Sequence, residues 1–358
     1  MLVFRPITLE DLPQLGELAA AAGIGLTTLP KDPQLLENRI NESRRSFERL
    51  AISSKAAEKA GALGGAERPG GEIYLFVLED LHTGKIVGTS AIVSKVGGFE
   101  PFYAYKIETT VAESETLNVR KEIKFLKLVT DHNGPCEIGS LFLSPEYRKE
   151  GNGRFLSLAR FLFIAERPKR FDPTVIAEMR GLVDSAGRSP FWECLGRVFF
   201  DTDFPNADYL SMVNKKFIAD LMPTHPIYIP LLPKEAQEAI GQVQEQTRPA
   251  VKILEEEGFK VSGMVDIFDA GPILSAKRDS VRAVKESAKA PIVEITDAGP
   301  PLSTEVYMVG TARPEFRAAK GNLQVVEKGV RINSALALAL GARVGDQVRF
   351  ATLRAKKG

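Results

Sequence analysis

A chain of 358 residues is long enough for about two well-buried domains with a small extra one. Its 47 Lys and Arg against 46 Asp and Glu leave no excess of positive charge to hold nucleic acid or an anionic membrane by long-range attraction. No window approaches the roughly 18–20 uninterrupted apolar residues of a membrane span, and the opening residues lack the basic, apolar and small-residue order of a secretion signal, so a cytoplasmic protein is expected.

In chain order, LVFRPI reads as a strand. Thr8, Glu10 and Asp11 then suit the start of a helix through LPQLGELAAAAG, ended by Gly23 and Gly25. Residues 35–52 carry the Leu/Ile spacing of a second helix, and 53–71 are small, polar and glycine-rich, as in a surface loop. EIYLFVLED and KIVGTSAIVS are β-rich runs joined by the hairpin turn LHTG, and a further strand is expected over 102–110. Beyond the middle come a strand-like TVIAEMRGLVD, a helix-like SPFWECLGRVFF, and a stretch broken by prolines at 223, 226, 230 and 233. A helix RPAVKILEEEGF and a strand-like VSGMVDIFDAGP follow. The tail after about residue 289 has strand runs VYMVGTA and GDQVRFATL and a helix near 334–340. FWECLGRVFF and KILEEEGFKV share a helix ending at glycine before an aromatic β run, which hints at two related halves.

Cys136 and Cys194 are too few for a disulfide framework, and His132 alone near Cys136 is too little for a metal site, so no metal is expected. His82 and His132 sit in turn-like stretches.

The stretch SLFLSPEYRKEGNGRFLSLARFLFIAERP holds the densest chemistry. Leu141, Phe142 and Leu143 suit a buried strand, and a long helix begins near Gly153. Between them R-x-x-G-x-G spans Arg148, Gly151 and Gly153, with Lys149, Asn152 and Arg154 interleaved. Glycine removes the side chain that would hold a phosphate off the backbone, and a helix's first turn offers unpaired N–H groups at a positive dipole end. Such a loop either cups a pyrophosphate or is a plain turn. Neither the dinucleotide pattern G-x-G-x-x-G after the first strand nor the triphosphate pattern G-x-x-x-x-G-K-[ST] occurs.

The order strand, R-x-x-G-x-G, long helix, strand, helix resembles the GNAT acyltransferases. The strings GLTTLP, FVLED, PFYAYK, LFLSPEYRKEGNGRFLS, AEMRG, SPFWECLG, FIADLMPTHPIY, AIGQV and DIFDAGP resemble, more narrowly, the arginine N-succinyltransferase family, up to about residue 275. The resemblance implies an α+β fold with a GNAT-like mixed sheet flanked by helices. It implies transfer of succinyl from succinyl-CoA, as cosubstrate rather than resident cofactor, to the α-amine of L-arginine. Residues 1–205 would bind acyl-CoA, 206–288 would form a second α/β half completing the active site, and 289–358 a small β-rich subdomain. In GNAT proteins the strand before the loop splays from its neighbour and pairs with pantetheine. That task would fall to Leu141, Phe142 and Leu143, with Leu141 the family's backbone contact. Arg148, Lys149, Gly151, Asn152, Gly153 and Arg154 would hold the diphosphate. A homo-oligomer, or a hetero-oligomer with a paralogous subunit, is also expected.

The family's proton-donating histidine follows G-Q-V; this chain has Gln244 there, and Ala112 where a second histidine is usual. Glutamine cannot shuttle a proton near neutral pH. His225, Tyr228, Glu137 and Glu245 are the replacements to weigh. Glu178 and Arg180 alternate along AEMRG and so share a strand face for binding arginine, with Asp266 and Asp269 as a second acidic pair. A GNAT enzyme acting on another amine, and a CoA-binding but weakly active subunit, remain alternatives.

Overall fold

The computed structural model describes residues 1–22, 28–59, 71–98, 100–298 and 303–355. Its strands are β1 Leu2–Pro6, β2 Ile73–Asp80, β3 Lys85–Val93, β4 Phe102–Ser114, β5 Val119–Asp131, β6 Cys136–Leu143, β7 Thr174–Glu178, β8 Ile227–Tyr228, β9 Lys260–Val265, β10 Pro272–Lys277, β11 Ala288–Ile295, β12 Tyr307–Thr311, β13 Ala318–Gly321, β14 Leu323–Val326, β15 Gly329–Ile332 and β16 Gln347–Thr352. They follow one another in the order β14-β15-β11-β16-β12-β13-β1-β2-β3-β6-β7-β10-β9-β4-β5-β8. The main helices near the centre are α1 Leu12–Ala21, α2 Pro33–Lys59 and α3 Asn152–Glu166.

The central strands are apolar on both faces because helices cover both. On one face Leu15 and Leu18 of α1 and Leu36 and Ile40 of α2 pack on Leu75, Val77 and Ala91. On the other, Phe155, Leu158, Phe161 and Leu162 of α3 meet Phe4, Phe76 and Ile138. Sheet residues buried on two sides lose the polar/apolar alternation of a half-exposed strand, which is why IYLFVLED reads as a continuous apolar run. The β-rich tail extends this same sheet: β13 pairs antiparallel with β1, Val3 opposite Ala319. It has its own core of Ile292, Leu336, Leu340 and Phe350 around the helix Ser334–Leu340. On the other side β10 pairs with β7, so residues late in the chain border strands made early. A second aromatic core, Phe191, Trp192, Phe204 and Phe268, lies beneath them.

Several sequence expectations need correction. The second helix runs on to Lys59 rather than stopping at residue 52, because SSKAAEK contains good helix formers. Residues 60–70 of the expected loop, and Gly23 and Gly25, lie outside the described residues. β4 extends to Ser114 and pairs throughout with β5, a strand whose charged, two-sided exposure hides its period. The strand expected over 174–184 ends as a ladder at Glu178, and PILSAK forms the unforeseen β10. The two glycine-ended segments have different structures. Gly196 lies inside a π-type turn, Trp192–Gly196, that continues into helix Arg197–Phe200; a Cβ there would come within 2.1 Å of the Trp192 ring. Gly258, at φ +98, instead ends the helix Arg248–Glu256 and admits β9.

Candidate active site

Strand β6 is paired along most of one side and only briefly on the other. Its antiparallel ladder with β3 runs from Glu137, opposite Val93, to Leu143, opposite Gly88. Its parallel ladder with β7 holds only Cys136 with Val175 and Glu137 with Ile176. From Ile138 onward β6 leaves β7, and the main-chain groups along the gap need an acceptor and donor that the sheet does not supply. Within the gap β6 bulges: Thr89 faces Phe142 and Ala91 faces Gly139, so Ser140, at φ 49, and Leu141 together oppose the single residue Ser90.

Arg160 of α3, 2 % exposed, stands under the bulge. Its Nη1 donates to the carbonyls of Ala91 (3.4 Å) and Gly139 (3.3 Å), and its Nε to Ser157 O (2.9 Å). Burial lowers its pKa to about 9, which leaves it charged at neutral pH. This cation ties β3 to β6 where the gap opens.

At its C-terminal end β6 runs into the glycine loop. Arg148 donates from Nε to Leu143 O (2.9 Å), and its guanidinium lies 5.8 Å from the Phe142 ring centre. Glu150 and Gly151 are both left-handed, at φ 53 and 74, and Gly151 caps the start of α3. The N–H groups of Gly151, Gly153 and Arg154 meet no main-chain acceptor among the described residues, so the loop and the helix dipole together present an anion site. Asn152 is buried and its side chain donates to Tyr147 O (3.0 Å), so it shapes the turn. Arg154 pairs with Glu256, while Arg148 and Lys149 are exposed at the loop. The β-rich tail braces the loop from behind: the Lys320 ammonium donates to Glu150 O, and a Cβ on Gly151 would lie 3.3 Å from Leu353 Cδ2.

Beside the gap lies a cavity of about 910 Å³ that reaches Leu141. Seven acidic side chains line it (Glu42, Glu100, Glu137, Glu178, Asp208, Asp266, Asp269) with five basic ones (Arg39, Lys95, Arg160, Arg180, Lys215). Water reaches Glu178 through the cavity, yet protein surrounds its carboxyl. This burial, with Glu137 and Asp266 nearby, raises its pKa well above the ordinary value. Burial also raises Glu137, partly offset by Lys215 and Arg39. Asp266 is pushed up to about 7 by burial and by Asp269, and Asp208 to about 6 by burial against the pull of Arg180. For Arg180, burial opposes the charge but Asp208 and Asp269 outweigh it.

Asp269 is saturated. Its Oδ2 accepts from Arg180 Nη1 (3.0 Å) and Gly181 N (2.9 Å), and its Oδ1 from Gly271 N (2.8 Å). Gly181 and Gly271 are required by this crossing: a Cβ on Gly271 would sit 1.9 Å from Met179 O. Arg180 also pairs with Asp208 (3.2 Å) and lies 5.5 Å from the Phe204 ring centre.

The family description "Arginine N-succinyltransferase beta subunit" matches residues 2–283, and that of its C-terminal domain matches 288–352. The chain belongs to the arginine N-succinyltransferase family. The Arginine N-succinyltransferase of Yersinia pseudotuberculosis serotype O:3 (strain YPIII) is 43% identical over 359 residues, covering 99% of this chain and 98% of its own. Arginine N-succinyltransferase subunit beta of Pseudomonas aeruginosa is 43% identical over 365 residues, covering 99% of each. The solved structure of arginine/ornithine succinyltransferase subunit AI from Pseudomonas aeruginosa superposes with a TM-score of 0.85 at 35% identity, covering 99% of each chain. The chain is thus an N-succinyltransferase with the mixed α+β fold of that family.

Within this arginine N-succinyltransferase fold, Glu137, Leu141, Glu178, Arg180 and Asp269 meet around one cavity, and Phe142, Leu143 and the glycine loop continue from it along β6. Two residues nominated for catalysis stand apart. Gln244 does not line the cavity; its side-chain amide is spent on the Val183 main chain, Oε1 accepting from N (3.2 Å) and Nε2 donating to O (3.0 Å). His225 is exposed just before β8, which the β5 edge holds away from the cavity lining. Sequence reasoning missed Arg39 and Asp208. For Arg39 a signal existed: it lies three residues after Leu36 and beside Ile40, on the buried side of α2.

Proposed function

We propose that the succinyl group passes from succinyl-CoA to the α-amine of L-arginine in the gap between β6 and β7. The observation that carries this reading is an unpaired strand edge that leads directly into a loop of free amides. Pantetheine adds to the β6 edge at Leu141 as an extra strand would. The diphosphate takes the amides of Gly151 and Gly153 with Arg148 and Lys149 close by, and the thioester then points toward Glu137. The guanidinium of arginine faces Glu178 and Asp266, which line the cavity beside the Asp208 and Asp269 carboxylates that pair with Arg180.

An α-ammonium, with a pKa near 8, must lose a proton before it attacks. Glu137, whose raised pKa narrows the gap to that ammonium, accepts it. The amine nitrogen forms the new bond to the thioester carbon and the C–S bond breaks. The second amine proton leaves with the coenzyme A thiolate, whose thiol pKa of about 8.5 makes it an adequate leaving group without a dedicated acid. Gln244 then has no proton to carry, in keeping with its bonds to Val183. In this reading residues 1–205 supply the CoA groove, 206–288 the far wall of the arginine site, and 289–358 the brace behind the loop. The subunit names of its relatives support an oligomer, and its cosubstrate supports a place in the cytoplasm.

Thiol release from succinyl-CoA, followed with arginine, ornithine and lysine in turn, tests the reading. Arginine is expected to give the fastest release. Tight coenzyme A binding with no release on adding arginine would overturn it, and release with ornithine alone would change the acceptor.

A further inference from the structure

Both substrates of the proposed reaction carry a carboxylate, and the succinyl terminus is what separates this donor from other acyl thioesters. The cation that sequence reasoning nominates, Arg180, is held by Asp208 and Asp269. Lys215 lines the same cavity, near enough to Glu137 and Glu178 to pull down both acids. Arg39 differs from both. It projects from α2 into the cavity wall, and its Nε is closed off from solvent with no acceptor. Among the described residues it makes no ion pair, although Glu137 and Glu42 are near enough to favour its charge. A buried donor without an acceptor is costly, and native structures keep few of them. Its guanidinium thus has no counter-ion among the described residues on a wall of the cavity, where an anion brought by a ligand can supply one.

We propose that Arg39 selects for a carboxylate-bearing substrate, its guanidinium taking the free carboxylate in a two-point contact beside Glu137. The proposal rests on the succinyl-transfer reading. The acyl terminus suits this place because a thioester threaded from the glycine loop along β6 directs its tail toward Glu137, the last residue before the gap closes. The α-carboxylate of the amino-acid acceptor offers the same chemistry.

Two matched pairs separate the sources: succinyl-CoA against butyryl-CoA, which lacks the terminal carboxylate, and arginine against argininamide. Arg39→Gln is expected to lower kcat/KM for the charged member of one pair by roughly 10- to 100-fold, as for loss of a bidentate charge-assisted contact. The neutral member should lose far less, since the change reaches it only through the charge that Arg39 lends to Glu137, and Arg39→Lys should recover part of the loss. Loss confined to succinyl-CoA assigns the acyl carboxylate; loss confined to arginine assigns the α-carboxylate. Equal loss with all four compounds, or none with any, overturns the proposal. Thermal unfolding supplies a second readout: with no hydrogen bond at Nε and no ion pair to lose among the described residues, Arg39→Gln should not lower Tm, whereas a structural arginine would lower it. If the wild type failed to succinylate arginine, the reaction would fall, but calorimetric affinities for the two thioesters would still decide the role of Arg39.

Discussion

At the glycine end of β6 the protein offers main-chain amides and the exposed cations Arg148 and Lys149, while at the other end it gathers Glu137, Glu178 and Asp266 in a cavity where burial raises all three pKa values. The first surface is made by backbone geometry over a few consecutive residues, and it suits an anion whose other side stays in water. The second is made by side chains from β6, β7 and the turn after β9, and it suits a cation that must be desolvated and then deprotonated. In the proposed reading one strand therefore holds the donor by shape and the acceptor by charge. Binding and proton transfer should be separable by mutation.

The largest effect is expected at the charged end. Glu137→Gln should lower kcat by about 10²- to 10⁴-fold, the usual weight of a general base, with little change in KM for succinyl-CoA; a fall in kcat below tenfold in steady-state thiol release would remove Glu137 from the chemistry. At the loop end, Gly153→Val should raise KM for succinyl-CoA by roughly 10- to 100-fold by keeping the diphosphate off the amides. Succinyl-pantetheine, which has no diphosphate, should not notice the change, and equal losses with both donors would mean that the loop does not hold phosphate.

A smaller effect concerns stability. Asp266 titrates near pH 7 in the folded chain and near 3.9 when unfolded, so the folded state keeps a proton that the unfolded state has released. Its contribution therefore weakens stability as pH rises from about 4 to 7. Asp266→Asn keeps an acceptor for the N–H groups of Phe268 and Asp269 and should flatten that slope, with a gain of about 1–2 kcal/mol at pH 7 in urea unfolding. An unchanged slope would place the titration elsewhere. Smallest of all, Gln244→His should cost about 1 kcal/mol through its bonds to Val183 and leave kcat within a few-fold of wild type. A large gain in kcat would restore position 244 to the proton path.

The sequence by itself determined the local half of this design. R-x-x-G-x-G lies between an apolar run and a helical period, and the left-handed Glu150–Gly151 pair with the start of α3 follows from those few neighbouring residues. The nine family strings likewise brought out the succinyltransferase resemblance, because a shared order of short matches survives without knowledge of contacts. Only the tertiary structure decided the cavity. Glu178 and Arg180 do share it, but Arg180 turns out to be consumed by Asp208 and Asp269, which come from distant parts of the chain. The resemblance puts Gln244 where a family histidine is expected, yet its side chain braces Val183. The Leu36–Ile40 spacing puts Arg39 toward the buried side of α2, but the cavity that it lines exists only once α2 has settled against the sheet. Periodicity and turn chemistry act over neighbours in sequence, whereas burial and the partner each charge finds depend on residues far apart, so they exist only once the strands have met.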